Sequence, residues 1–90
     1  MGFEWFEKKR ESNIKDHGID FVRAAKVFDN PILERLDDRK DYGEERFIAI
    51  GHWEEQFLVV VYTWRGKNRR IISARKAGQN EKRAYYNSLA

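Results

Sequence analysis

Ninety residues give room for one hydrophobic core and one site, with none for a cofactor cleft between two lobes. A hydrophobic share of 41% excludes a disordered chain, and the lack of any cysteine removes disulfides, thiolate metal sites and thiol nucleophiles together. The net charge of +3 hides an asymmetry: residues 1–60 hold ten Lys+Arg against fourteen Asp+Glu, whereas residues 61–90 hold eight against one.

Such a basic end suits an anionic partner, phosphate backbones being the commonest, though a solvated Lys/Arg surface explains the composition equally well. No apolar run approaches the ~20 residues that span a bilayer. The N-terminus is charged from Glu4 onward and has no apolar stretch of the kind a signal peptide needs, so a cytoplasmic protein without a membrane partner is expected.

In chain order, Phe3-Glu4-Trp5 reads as a short strand or a staple into a first helix over 7–16, with Phe6 and Ile14 inward and Gly18 as its left-handed cap. Asp20 is a good N-cap for a second helix running to about Phe28, which Asn30-Pro31 ends. Residues 32–36 suit a weak strand and 37–43 a polar turn. Residues 45–51 alternate as a strand does, with Glu45 and Arg46 at its start on opposite faces. Residues 57–64 are β-branched or aromatic on both parities, as in a central strand buried on both faces. Gly66-Lys67-Asn68 turns into a further strand over 69–75, and 80–89 suits a last helix with Glu81 near its N-terminus. The expectation is one α+β domain over 1–90: two N-terminal helices, a three- to four-stranded antiparallel sheet and a C-terminal helix.

Several chemistries drop out. His17 and His52 are isolated, His52 reading as a loop residue, and Arg39 and Lys40 interrupt the carboxylates Asp37, Asp38 and Asp41, so no metal site is expected. The scattered glycines form no phosphate-cradling loop, and no serine lies in a nucleophile elbow; no cofactor is expected. What survives is acid–base and electrostatic chemistry on a phosphodiester. RNA carries its own nucleophile in the 2′-hydroxyl, so a protein need only position the strand, move two protons and neutralise charge on phosphorus. Residues 62–76 supply Tyr62, Arg65, Lys67, Arg69, Arg70, Arg75 and Lys76 with no acid among them. Those types suffice for metal-free RNA cleavage, but a non-catalytic RNA- or DNA-binding sheet presents the same residues, and so does a basic end that only receives an acidic partner.

Three blocks of the chain carry a recognisable pattern. The first runs Phe3-Glu4-Trp5, Lys9, Asn13, His17-Gly18-Ile19 and Phe21, with Ala25 and Val27-Phe28 behind. The second is Asp38-Arg39, then Gly43-Glu44-Glu45-Arg46 and Ile50-Gly51; the third runs from Val59 through Tyr62-Thr63-Trp64-Arg65 and Arg70 to Ala77, then Glu81, Arg83 and Tyr86. In this order and spacing the three blocks resemble the BrnT toxins, and the resemblance implies a compact RelE-type fold and a metal-independent endoribonuclease that inhibits translation as the toxin of a type II toxin–antitoxin system. It also implies a ribbon-helix-helix antitoxin (BrnA-like), RNA as substrate, and operator DNA reached only through the antitoxin complex. Phe6 and Asp16 depart from the acidic and lysine residues common in the family, and Gly78 replaces a threonine cap.

Within these blocks Arg65 and Arg75, each ending a strong strand, are the first candidates for stabilising transition-state charge. Glu45 or Arg46, Lys9 and His17 are candidates for proton transfer or phosphate contact, His17 competing with a helix-capping role. Tyr62 and Trp64 suit base stacking or the core. Lys67, Arg69, Arg70, Lys76 and Arg83 are expected to form the positive surface that RNA or an acidic antitoxin segment occupies.

Overall fold

The computed structural model describes residues 2–89. Its elements are β1 (Gly2–Glu4), α1 (Glu7–His17), α2 (Phe21–Lys26) running into a 3₁₀ turn (Val27–Asp29), β2 (Leu33–Leu36), β3 (Phe47–Trp53), β4 (Gln56–Arg65), β5 (Asn68–Lys76) and α3 (Gln79–Ser88). The strands form one sheet in the order β1-β5-β4-β3-β2. Four of them are antiparallel, but β1 runs parallel to β5, pairing Gly2, Phe3 and Glu4 with Asn68, Arg69 and Arg70. The expected three- to four-stranded antiparallel sheet is therefore corrected to a five-stranded mixed one. Three residues are too few to display a period, so only the long-range pairing shows β1 as a strand.

Local signals place most boundaries. Gly18, at φ 72°, closes α1 by donating its N–H to the Ile14 carbonyl at 2.8 Å. The Asp20 side chain accepts from the Val22 N–H, capping α2. Gly66 sits at φ 59° in the two-residue turn between Arg65 and Asn68, a backbone region costly for a residue with a Cβ. The expected inward side of α1 is corrected: Phe6 and Ile14 are exposed, and the buried residue of the helix is Asn13. Polar bonds dock α1, because Arg10 forks onto Asp20 at 2.9 Å and Asn13 reaches β5.

β4 is buried on both sides, as its composition predicts. One face, the helical face, sets Leu58, Val60, Ile71 and Ala74 against Ile19, Phe21, Ala24 and Val27. Each large apolar side chain sealed there contributes about 1.5–3 kcal/mol relative to exposure. At Gly51 a Cβ would come within 3.1 Å of Val27 and Ile32, so the glycine permits this close approach. The opposite, open face has a smaller cluster of Ile48, Val59 and Val61. α3 covers only one end of it, where Tyr85 packs on His52 and Phe57 and donates its hydroxyl to the Pro31 carbonyl at 2.6 Å. His52 is thus a strand residue in an aromatic cluster rather than a loop residue. No helix among the described residues is long and apolar enough to cross a membrane.

Candidate active site

Strand register decides what the open face carries. One row across the sheet is Leu33, Ile50, Val59 and Arg75; the next is Arg35, Ile48, Val61 and Ser73. Between these rows and α3 lies a groove of about 430 Å³, within the usual range of small-ligand sites. Ile48, Ile50, Val59 and Val61 form its floor, while Arg35, Arg39, Arg75, Glu81 and His17 stand around it.

Each charged group has a defined support. Arg75 forks onto Glu81, with N–O distances of 2.9 and 2.5 Å, and Glu81 Oε1 also accepts the Gly78 N–H at 2.7 Å at the start of α3. The Arg75 hydrogen bonds, aided by that N–H and by the nearby charge of Arg35, pull the Glu81 carboxyl down to about 2 against the cost of burial. Glu81 in turn raises the Arg75 pKa, opposed by desolvation and by the positive charge of Arg39. Arg39 is held by a carboxylate that the sequence placed in a solvated turn. The Asp37 side chain is fully buried, and Arg39 Nε and Nη2 reach its oxygens at 2.7 and 2.8 Å. Those bonds hold Asp37 at about 2. Behind Arg75, the buried Asn13 amide accepts the Ala74 N–H at 3.0 Å and donates to the Ala74 carbonyl at 2.8 Å, fixing the strand one residue away.

This arrangement assembles three guanidinium groups around an apolar slot. Arginine is always charged and matches phosphate oxygens bidentately, so the groove can seat a phosphodiester with its base or ribose on the aliphatic floor. His17 brings to the same groove a side-chain type suited to proton transfer. Among the described residues no three metal-ligating side chains cluster.

Of the residues expected from sequence, Arg75 and His17 meet here. Arg65 does not join them. It shares the open face by alternation, but it lies six residues along β4 from Val59, the partner of Arg75. At roughly 3.3 Å per residue that is about 20 Å, too far for one phosphate. Arg65 and Arg46 both bond Glu44, whereas Glu45 is exposed and its carbonyl accepts from the Thr63 hydroxyl. Lys9 projects from α1, exposed and outside the groove lining.

The remaining basic and aromatic candidates are dispersed. Tyr62, placed among base-stacking candidates, is wholly buried between Phe28, Phe47 and Trp64 and donates its hydroxyl to Glu34. Burial pushes its phenol up to about 12, and no base can reach the ring in this fold. The Arg69 guanidinium lies over Phe28 and Trp64 at 4.3 and 4.6 Å, on the helical face. Arg70 pairs with Glu4 at 2.6 Å and lies over Phe6. Trp64, Lys67 and Arg83 are exposed, and Lys76 lines a separate hollow beside Trp53. The basic third of the chain is therefore not one continuous patch, since acids from the first sixty residues fold back onto it. Arg35 and Arg39 are the groove arginines that sequence reasoning passes over, because they sit in the acidic part of the chain. The one available signal is Asp38-Arg39 within a family block.

A family described as the ribonuclease toxin, BrnT, of a type II toxin–antitoxin system matches residues 5–81. Among solved structures, the fold is similar to the 1.1 Å crystal structure of the Brucella abortus ribonuclease toxin BrnT. The TM-score is 0.67 and the identity 29%, covering 88% of this chain and 99% of that one. No curated protein sequence matches. With the family matching most of its length, the chain belongs to the BrnT family of type II toxin–antitoxin ribonuclease toxins.

Proposed function

We propose that this chain, acting as one domain in the cytoplasm, is a metal-independent endoribonuclease of RelE-like type that a cognate ribbon-helix-helix antitoxin holds inactive. The observation that carries this reading is the convergence of Arg35, Arg39 and Arg75 on one groove floored by aliphatic side chains. The scissile phosphate sits in the fork of Arg75, sharing or displacing Glu81, with Arg39 on the other side. The RNA 2′-oxygen attacks phosphorus, its proton passes to a base, and the bond to the 5′-oxygen breaks as that oxygen takes a proton. His17 is the groove side chain best suited to one of these transfers. The pentacoordinate phosphorus carries an extra negative charge, and the three arginines stabilise it more than the ground state. The products are a 2′,3′-cyclic phosphate and a 5′-hydroxyl.

An antitoxin that lays an acidic segment across the same arginines blocks catalysis by occupying the phosphate position. Incubation of the purified chain with mixed RNA in excess EDTA, beside Arg75→Ala, tests the reading. Cleavage by the wild type alone with cyclic phosphate ends is expected. Intact RNA with both proteins, under conditions where the wild type is folded, would sink ribosome-independent cleavage.

A further inference from the structure

The open face holds a second pair of arginines for which the cleavage chemistry has no use. Arg46 Nε and Arg65 Nη2 each lie 3.1 Å from a different oxygen of Glu44, so one carboxylate bridges two guanidinium groups. Arg46 is further fixed over the Tyr42 ring at 4.2 Å, while the Arg65 side chain is 49% exposed. One negative charge against two positive ones leaves the pair cationic, and a carboxylate bridged in this way is the shape of a phosphodiester's two free oxygens.

The pair is in line with the groove. Val59, Val61, Thr63 and Arg65 alternate onto the open face, and Arg75 pairs with Val59 at the far end. A stacked strand advances roughly 3.4 Å per phosphate, so the about 20 Å between the two ends corresponds to about six stacked nucleotides, or fewer in an extended strand. We propose that Arg46 and Arg65 form a second phosphate subsite, and that the enzyme takes single-stranded RNA lying across the sheet with its scissile phosphate at Arg75. This inference rests on the ribonuclease reading above. Strands too short to reach from one end to the other lose the contact.

The test measures binding rather than turnover, with fluorescent 2′-O-methyl RNA that cannot be cleaved, as a dinucleotide and as an octanucleotide of mixed sequence. The octanucleotide is expected to bind the wild type more tightly than the dinucleotide. Arg65→Ala should weaken the octanucleotide about tenfold, the value of one charged contact, while sparing the dinucleotide. It should also lower the slope of log affinity against log salt by about 0.7. Glu44→Gln, which releases both arginines, should act in the opposite direction and tighten only the octanucleotide. Affinity independent of length, or an Arg65→Ala loss equal on both lengths, overturns the second subsite and leaves the ribonuclease reading standing. Failure of the wild type to bind either oligonucleotide overturns that reading, and the subsite with it.

Discussion

The side-chain amide of Asn13 pairs with the backbone of Ala74 as a neighbouring strand would, accepting its N–H and donating to its carbonyl. β1 covers only the first three residues of β5, and Asn13 continues the ladder where β1 has ended. A third bond of the same amide, donated to the Ile19 carbonyl, ties in the loop between α1 and α2. The helix, the loop and the strand bearing Arg75 are thereby locked through one buried side chain.

Asn13→Ala should lower stability by about 2–4 kcal/mol, because it leaves buried backbone groups of Ala74 and Ile19 without partners. Asn13→Asp should cost as much or more, since a carboxylate keeps the acceptor but sets negative charge against two carbonyls. Urea unfolding of the three proteins checks this. A loss below about 0.5 kcal/mol for both variants would show that water replaces the amide without penalty.

Arg75→Ala should reduce kcat by about 10² or more with a smaller change in KM, as expected for a donor that acts mainly on transition-state charge. Arg75→Lys should recover only part of that, because it restores charge without the bidentate fork. Arg39→Ala should fall in the same direction. Steady-state cleavage of a defined RNA, with melting curves to confirm folding, decides the matter. Equal activity of Arg75→Ala and wild type would remove the groove from the mechanism.

Acid should destabilise the protein through Asp37 and Glu81. Both carboxyls are held at about 2 in the folded state, below their ordinary values of 3.8 and 4.5. The unfolded chain therefore binds their protons first, so their contribution is complete above pH 4.5 and disappears as pH falls toward 2. Asp37→Asn should flatten the fall in stability between those values while lowering stability at pH 7. Denaturation midpoints measured across that interval provide the check, and an unchanged acid profile in Asp37→Asn would contradict the burial of a charged Asp37.

Gly66→Ala should cost about 1 kcal/mol. No atom lies within 4 Å of the added methyl, so the penalty comes from φ 59° alone. A thermal melt reads it as a fall of several degrees for a domain of this size. No shift would mean that the turn relaxes to another type.

Much of the fold is legible in the residues because the deciding signals are local. The Gly18 and Asp20 caps, the Asn30-Pro31 stop and the turn opened by Gly66 each work within a few positions, although Asn68, read as part of that turn, already belongs to β5. The double-sided apolar run of β4 correctly announces a central strand. Where local reasoning fails, a distant partner is responsible. Phe6 and Ile14 look like the inner side of α1, yet Asn13 and Arg10 dock that helix by hydrogen bonds to residues the helical period cannot see. Tyr62 suits a nucleobase as well as a core, and only the packing of Phe28 and Phe47 against it assigns it to the core.

Read residue by residue, the chain already announces its helices and its four longer strands, the charged character of the surface, the absence of cysteine chemistry and the family resemblance. Which of the many arginines lie together is set by the way the strands pair. Arg65 and Arg75 look equivalent at the ends of two adjoining strands, but antiparallel pairing sends them to opposite ends of the hairpin. Arg35 and Arg39, from the acidic part of the chain, arrive beside Arg75 instead. The reason is that sheet order and register are set by burying both faces of β4 at once, a global condition. A charge pattern along the chain fixes how many cations there are, and the fold fixes which of them one phosphate can touch.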